Sequence, residues 1–346
     1  MGYRLLILIL LLGWLPTCYG ENVMDLQGGT YRVTESDLTF FDGREVRNGT
    51  LVVTKGNYLI RVKKEGGTCL KIGDNTELVI DGTIKLTPND FKSYDMIRVV
   101  GNHVKIHGKG SLVGDKFTHT GKEGEWGMGI HFRGASNATL SGLTIKDCWG
   151  DCIYVGRQSK NIRIKNCRLD NGRRQGISIT SADSVFIKDC TISNVSGTNP
   201  QYGIDIEPNK NCSVHYVLIE NVNVVNCEGG IRATVPNAGV GNASIGTVVI
   251  RNCQVSAQSR YPIHLNRCVT GTVKGCIIDA TNDRPSLYAN YVNNLKVSNN
   301  TLNVDVKLFS SIKNKLKDWV GKGSYSVIRV VHGSDKGVRD NKINKR

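Results

Sequence analysis

The sequence predicts an all-β fold, a single-stranded parallel β-helix of about nine or more coils. Three observations lead to this prediction. An apolar motif recurs along the chain in steps of 23–32 residues. Each repeat holds short strands of alternating polarity, and none has room for a crossover helix. Units made only of strands and turns bury their apolar faces by stacking on one another, which gives a solenoid.

The composition fits one sizeable folded domain. Of the 346 residues 39% are hydrophobic, with 39 glycines and only 7 prolines, which excludes disordered, collagen-like and proline-rich chains. Lys and Arg number 45 against 30 Asp and Glu, a formal net charge of +15. The single long apolar run lies at the N-terminus, so a multispanning membrane protein is excluded.

The first 20 residues are predicted to be a secretory signal peptide. Arg4 is followed by the short apolar run Leu5–Leu15, then by Pro16 and by small residues at the end of the segment. We therefore expect a secreted, periplasmic or extracellular protein with no transmembrane span in the mature chain. The alternatives are an N-terminal membrane anchor, for which the run is short, and a lipoprotein anchored at Cys18, which Pro16 disfavours.

The repeat places one domain over residues 21–346, clearest over 65–305. Its motif alternates apolar and polar residues, then has Asn or Asp, then Cys or Asn. Four segments show it best: Ile162–Leu169, Val185–Ile192, Val248–Val255 and Leu295–Leu302. A second short strand, often opening with Gly-Ile, follows in each repeat.

Two features stand beside the repeat. Apolar residues at helical spacing predict a short amphipathic helix over 307–320, either covering the solenoid or binding a membrane surface or polyanion. Cys167, Cys190, Cys253 and Cys276 recur at one inward position, so we predict that they are apolar filler rather than a disulfide framework. A Cys167–Cys190 disulfide between adjacent coils is the alternative.

With its Asn-Cys repeats and Gly-Ile strand starts, the segment 65–305 resembles the pectin-lyase-like superfamily of right-handed parallel β-helix proteins. This resemblance implies a right-handed, secreted protein that acts on polysaccharides as a lyase, hydrolase or epimerase. The Trp-Ile-Asp-His motif of pectate lyases and the motif set of polygalacturonases are absent. The resemblance therefore identifies no subfamily.

The candidate site is a row of outward side chains, one from each second strand. Alternation along the strands predicts this row: Lys71, Arg98, His131, Tyr154, Ser178, Asp205, Arg232, His264 and Tyr288. Predicted catalytic residues are Asp205, Glu207, Arg232 and His264. Predicted substrate contacts are His131, Tyr154, Arg174, Gln175, Tyr202, Tyr261 and Tyr288. The alternative to a catalytic role is that Asp205 and Arg232 form a structural ion pair.

A groove along parallel coils suits a linear polymer, and the positive charge favours an anionic polysaccharide. No basic module with interleaved aromatic residues stands out, so nucleic acid is not expected as a partner. We expect a monomer.

Three functions fit these residues. A lyase would use Arg232 or His264 as base, a tyrosine as acid and Ca²⁺ held by Asp205, Glu207 and Asp151. A glycoside hydrolase would use Asp205 and Glu207 as its two carboxylates. The third is a non-catalytic glycan-binding or adhesive protein. No organic cofactor is expected, and the surplus of cations favours the lyase.

Overall fold

The computed structural model describes residues 22–37, 40–236, 240–281, 283–305, 320–321 and 327–345. These residues form 36 strands and no helix. Within them, nothing helical is long and apolar enough to cross a membrane. The predicted signal peptide lies outside the described residues. So does the predicted helix, except for Val320, which belongs to a strand.

The strands form three parallel sheets, named A, B and C here in the order in which each coil passes through them. Sheet A contains β1 (Val23–Asp25), β3 (Arg44–Arg47), β6 (Gly67–Ile72), β9 (Ser93–Val99), β12 (Trp126–Arg133), β15 (Ile153–Gly156), β18 (Ile177–Ile179), β21 (Tyr202–Ile206), β24 (Gly229–Thr234), β27 (Ile263–Asn266), β30 (Leu287–Asn290), β34 (Ile328–Val331) and β33 (Val320–Gly321). Sheet B contains β2 (Thr30–Val33), β4 (Gly49–Val53), β7 (Thr76–Ile80), β10 (Lys105–His107), β13 (Ser136–Ser141), β16 (Lys160–Lys165), β19 (Ala182–Lys188), β22 (Ser213–Glu220), β25 (Ser244–Arg251), β28 (Cys268–Lys274), β31 (Asn294–Ser298) and β35 (Val338–Arg339). Sheet C contains β5 (Asn57–Ile60), β8 (Thr83–Leu86), β11 (Ser111–Val113), β14 (Thr144–Lys146), β17 (Arg168–Asp170), β20 (Thr191–Ser193), β23 (Asn223–Val225), β26 (Gln254–Ala257), β29 (Ile277–Ala280), β32 (Thr301–Val304) and β36 (Lys342–Lys345).

The solenoid is longer than the clearest repeats indicate. Strands β1 to β5 precede residue 65, and β34 to β36 follow residue 305. They pair in parallel with the coils between them, so they continue the same stack. The terminal coils lack the Asn-Cys motif, which is why the repeat is weak there although the fold continues.

The core consists of apolar side chains stacked from coil to coil. One such column on sheet A is aligned by the strand register and is almost completely buried: Leu70, Ile97, Ile130, Ile153, Ile177, Ile204, Ile231, Ile263, Leu287 and Ile328. Since neighbouring rungs lie about 4.8 Å apart, β-branched and leucine side chains pack directly on their counterparts. This column fixes the register, and with it every outward residue of sheet A.

The Asn-Cys motif forms the corner between sheets B and C. Asn166, Asp189 and Asn252 adopt left-handed conformations with φ of 54°, 53° and 55°, which Asn and Asp tolerate better than other residues with a side chain. The corner turns the next residue inward. Cys167 and Cys190 are accordingly buried, each donating to the carbonyl two residues earlier, at 3.3 and 3.2 Å.

All ten cysteines within the described ranges are free thiols, and all but Cys212 are buried. The prediction that the recurring cysteines are apolar filler is therefore confirmed. The alternative Cys167–Cys190 disulfide is not formed.

Candidate functional site

The outward row of sheet A has the predicted register. Strand pairing aligns these residues one rung after another: Lys71, Arg98, His131, Tyr154, Ser178, Asp205, Arg232, His264 and Tyr288. The row extends at both ends, because Glu45 pairs with Lys71 and Arg329 pairs with Tyr288. The catalytic and binding roles predicted for its members remain predictions.

Asp205, at the centre of the row, points away from the core but is covered by its neighbours, with an exposure of 2%. Its Oδ2 accepts hydrogen bonds from Gln175 Nε2 at 2.8 Å and from Arg232 Nη1 at 3.3 Å. Its Oδ1 is buried and has no partner in the described part of the chain. Ionising a buried carboxyl group is costly when one of its oxygens has no hydrogen-bond partner.

The charges around Asp205 decide which groups can transfer protons. Burial raises the pKa of the Asp205 carboxyl to about 7, against the opposing effect of Arg232. Burial also acts to lower the pKa of Arg232, but Asp205 and Glu207 outweigh it and hold that pKa above its ordinary value. A guanidinium that stays charged does not accept a proton, so this arrangement gives no support to Arg232 as a base, and that role stays a prediction.

Arg232 also bridges the two carboxylates of the predicted calcium site. Its Nη2 lies 2.9 Å from Glu207 Oε1, and its Nη1 contacts Asp205. The third predicted ligand, Asp151, is fully buried and pairs with Arg174 at 3.1 Å. Among the described residues, no group of three or more His, Cys, Asp or Glu could hold a metal ion. Arg232 thus lies between two of the three predicted ligands, and the calcium site stays a prediction.

Two predicted substrate contacts are corrected by their burial. Gln175 has no exposed surface; its amide nitrogen donates to Asp205 while its carbonyl oxygen accepts from the backbone N–H of Tyr202 at 2.7 Å. Tyr202 begins β21 and is itself buried. Gln175 holds Asp205 in place, and both residues are enclosed too deeply to line a groove.

The predicted contacts Tyr261 and Tyr288 form an aromatic cluster with His264. The two tyrosine rings stack with centroids 5.1 Å apart, and His264 lies 5.0 and 5.1 Å from them. Burial, together with the positive Arg232 and Arg284, lowers the pKa of His264 to about 4. Its imidazole is therefore neutral at physiological pH.

A cavity of about 590 Å³ opens nearer the N-terminal end of the row, around the predicted contacts His131 and Tyr154. Arg98, Arg133 and Arg157 also line it. Burial, then the neighbouring Arg98 and Arg157, lower the pKa of Arg133. Arg98 pairs with Asp95, whereas Arg133 and Arg157 form no ion pair within the described ranges. An anionic group entering the cavity would therefore be stabilised.

His131 is oriented by a carboxylate. Its Nδ1–H donates to Asp95 Oδ1 at 3.0 Å, which leaves the lone pair on Nε2. Nε2 is buried and has no partner within the described ranges. Tyr154 meets the His131 ring edge-on at 4.8 Å, and its hydroxyl accepts hydrogen bonds from Thr180 at 2.8 Å and Asn209 at 3.3 Å. A base and a phenol thus stand side by side in a cationic cavity.

A comparison with protein families settles the classification of the chain. The family described as "Right handed beta helix region" matches residues 45–216 and 158–343, which together cover most of the sequence. The chain belongs to this family. Membership establishes the handedness of the solenoid and leaves its chemistry open.

Two Bacillus subtilis (strain 168) proteins are related in sequence to this right-handed β-helix protein. The SPbeta prophage-derived protein YorA is 29% identical over 187 residues, which cover 47% of this chain and 32% of YorA. The protein YclG is 30% identical over 219 residues, which cover 54% of this chain and 37% of YclG. The chain thus spans about a third of the length of these curated relatives.

Solved structures share the fold at low sequence identity. The A-module of mannuronan C-5 epimerase AlgE4 from Azotobacter vinelandii has a TM-score of 0.53 at 11% identity, covering 89% of this chain and 91% of that one. A tailspike protein of Escherichia coli bacteriophage HK620, in complex with a pentasaccharide, has 0.54 at 14%, covering 90% and 60%. The tailspike gp49 of Acinetobacter baumannii bacteriophage Fri1, a capsular polysaccharide depolymerase, has 0.52 at 13%, covering 94% and 63%. These similarities show the fold alone.

Sequence reasoning missed three residues of the cavity in this β-helix protein, namely Asp95, Arg133 and Arg157. Arg133 could have been found, because it lies two residues after His131 in β12 and therefore on the same face. Asp95 and Arg157 carry no comparable signal. Asp95 lies three residues before Arg98 in β9, so alternation predicts that it faces away from the row. Arg157 follows the end of β15.

Proposed function

We propose that the protein is a polysaccharide lyase that cleaves a linear, uronate-containing polysaccharide by β-elimination. The observation that carries this proposal is the His131–Asp95 hydrogen bond beside Tyr154, in a cavity that three arginines line. β-Elimination needs a base, an acid and positive charge at the uronate carboxylate. This cavity offers all three within one contiguous group of side chains.

His131 serves as the base in this mechanism. Its Nε2 takes the proton from C5 of the uronate, and the electron pair left on C5 is delocalised into the carboxylate. Asp95 stabilises the imidazolium that results. Arg98, Arg133 and Arg157 stabilise the added negative charge on the substrate carboxylate, where positive groups already in place are most effective.

Tyr154 serves as the acid. The C4–O bond breaks as the double bond between C4 and C5 forms, and the departing oxygen takes the phenolic proton. Because Thr180 and Asn209 donate to the Tyr154 oxygen, its own proton remains available for the leaving group. They also stabilise the phenolate left behind. No water enters the products. Between turnovers His131 releases the C5 proton to solvent and the Tyr154 phenolate takes one proton up, so no net proton is gained or lost.

Three further observations support action on polysaccharides outside the cell. Similar folds occur in proteins described as a capsular polysaccharide depolymerase, a mannuronan epimerase and a tailspike bound to a pentasaccharide. The surplus of positive charge suits an acidic polymer. The predicted signal peptide agrees with an extracellular location.

A glycoside hydrolase centred on Asp205 is the second candidate. The raised pKa of Asp205 favours it, because a carboxyl still protonated near neutral pH can act as a general acid. Glu207 would be the second carboxylate. The enclosure of Asp205 and the Arg232 bridge to both acids count against it, since Arg232 and Tyr202 would have to move before a glycosidic oxygen reached Asp205.

The test is to incubate the protein with acidic and neutral polysaccharides, and to follow both reducing ends and the ultraviolet absorbance of the C4=C5 double bond. A lyase gives both signals, and a hydrolase gives reducing ends alone. We expect His131→Gln and Tyr154→Phe each to lower the turnover number about 100-fold or more, the usual contribution of a general base or acid. Absence of both signals with every polymer would contradict the proposal and favour a glycan-binding protein.

Matched controls lie on sheet B. His107→Gln changes a histidine that also pairs with a carboxylate, Glu77, and Tyr216→Phe removes a hydroxyl from the outer face of β22. Both should retain full activity. Activity in EDTA tests the calcium prediction. We expect no loss, because the proposed carboxylate-binding cations are arginines; a loss that Ca²⁺ restores would show that a metal is required.

A further inference from the structure

Cationic groups are distributed unevenly along the outer face of sheet A. At the N-terminal end, the cavity described above adjoins a second one of about 410 Å³. Arg98, Arg133 and Arg157 line both cavities, and Lys71 lines the second. The residues lining the two cavities include only two carboxylates, Asp95 and Glu45. This region, the cationic cavity, therefore carries net positive charge.

In the cationic cavity Arg98 pairs with Asp95, while Arg133 and Arg157 form no ion pair within the described ranges. In the middle of the row, by contrast, both arginines are engaged by the protein's own acids. Arg174 lies 3.1 Å from Asp151 and 3.6 Å from Glu125. Arg232 lies 3.3 Å from Asp205 and 2.9 Å from Glu207. A uronate placed over these coils would displace an existing ion pair or meet a carboxylate of like charge.

Positive charge returns beyond the middle, at the aromatic cluster of Tyr261, His264 and Tyr288. The guanidinium of Arg284 lies 5.1 Å from the centre of the Tyr261 ring, and that of Arg329 lies 5.4 Å from the centre of the Tyr288 ring. Arg329 forms no ion pair within the described ranges, and its Nε is buried without a hydrogen-bond partner. This group is named the distal site.

The strand register gives the distance between the two regions. Seven rungs separate His131 from Arg329 along sheet A. At about 4.8 Å per rung they lie roughly 34 Å apart. One pyranose unit in an extended chain is about as long as one rung spacing, so about seven sugar units reach from one region to the other.

We propose that the natural substrate is a linear heteropolysaccharide whose acidic sugars are separated by several neutral ones. One acidic unit occupies the cationic cavity, mostly neutral units cross the ion-paired middle, and a later acidic unit reaches the distal site. This proposal rests on the proposed function, which assigns the cationic cavity to a uronate. It adds the spacing between acidic sugars along the substrate. A homopolyuronate, with a carboxylate on every unit, would place several of them against Asp205, Glu207 and their neighbours.

The experiment measures binding and turnover with three polymers. Deacylated gellan carries one glucuronate in each repeat of four sugars. A gellan chain with one glucuronate in the cavity therefore places a single carboxylate over the middle and another about eight sugars on, near the distal site. Polygalacturonate carries a carboxylate on every sugar, and carboxyl-reduced gellan carries none. We expect gellan to bind at least about tenfold more tightly than either of the others, the scale of a single charge-assisted hydrogen bond. Equal or tighter binding of polygalacturonate would overturn the proposed spacing.

A variant at the distal site tests the second point of attachment. Arg329→Gln should weaken gellan binding about tenfold while leaving the affinity for a short acidic tetrasaccharide unchanged, because the tetrasaccharide fills the cavity alone. Arg339→Gln is the matched control, an exposed arginine at the end of sheet B, and should change neither. Equal affinity of Arg329→Gln and the unaltered protein for gellan would overturn the distal site.

The two proposals fail in different ways. Preferential gellan binding without any unsaturated product would refute the lyase and support the charge spacing. Unsaturated product from polygalacturonate at the same rate as from gellan would support the lyase and refute the spacing. Binding is best measured with His131→Gln as well as with the unaltered protein, so that degradation of the polymer does not enter the result.

Discussion

The carboxyl of Asp205 combines charge, burial and an unsatisfied oxygen in one residue. Gln175 and Arg232 hold its Oδ2, while Oδ1 has no partner in the described part of the chain. Loss of hydration raises its pKa to about 7, so protonation is the easiest way to relieve the cost of burial. Asp205 therefore acts mainly through its neighbours, above all by holding the Arg232 side chain in position.

This environment predicts how stability depends on pH. The raised pKa means that the folded protein binds more protons than the unfolded chain between about pH 4 and pH 7, so Asp205 lowers stability as pH rises through that range. Asp205→Asn removes the ionisation. We expect the variant to gain stability relative to the unaltered protein as pH rises from 4 to 7, by up to about 2–4 kcal/mol.

Urea unfolding at several pH values measures this difference. Asp183→Asn is the control, because Asp183 is about half exposed and should give a difference that changes little with pH. A stability difference between Asp205→Asn and the unaltered protein that stays constant from pH 4 to 7 would contradict the assigned burial of Asp205.

At the scale of single elements, each coil is held by a corner and an aligned strand. The left-handed Asn or Asp closes the corner between sheets B and C, and the cysteine after it fills the space inside. The sheet A strand then places one outward side chain on the row. The inward column of isoleucine and leucine side chains fixes the register. The outward side chains of the row can therefore differ from rung to rung while the backbone conformation repeats.

The burial of the cysteines predicts their redox state. Burial raises the pKa of Cys227 and Cys268 to about 12, which keeps these thiols protonated and unreactive. We expect the protein, denatured without reductant, to yield nearly all the described cysteines as free thiols in a colorimetric assay. The native protein should react mainly at the partly exposed Cys212. Recovery of only two or three thiols would show that the corners carry disulfides.

At the scale of the whole molecule, the solenoid spreads its binding surface along one axis. Coils separated by many residues in sequence share a face, so cations about 34 Å apart lie on one surface that a single extended ligand can span. The net charge of +15 adds a long-range attraction for acidic polymers. In the middle of sheet A, ion pairs within the protein weaken that attraction. At the cationic cavity and at the distal site the attraction remains.

This charge predicts the effect of salt. Raising sodium chloride from about 0.05 M to about 0.5 M should weaken binding to gellan at least about tenfold, because the Debye length becomes shorter than the spacing between the charged groups. Binding to carboxyl-reduced gellan, which lacks the charges, should change little. Affinity electrophoresis over a salt series measures both, and salt-independent gellan binding would contradict an electrostatic role for the arginines.

The sequence by itself determined the parallel β-helix, the inward cysteines and the register of the outward row. Repeats such as Val185–Ile192 carry this information locally, because alternation and turn residues specify each coil and stacking is the only way to bury them. Only the tertiary structure decided which outward residues are enclosed, that Arg232 bridges Asp205 and Glu207, and that Arg133 and Arg157 meet His131 in one cavity. Enclosure and pairing depend on side chains from neighbouring coils and on the loops beside them, and the period of a repeat does not encode those interactions.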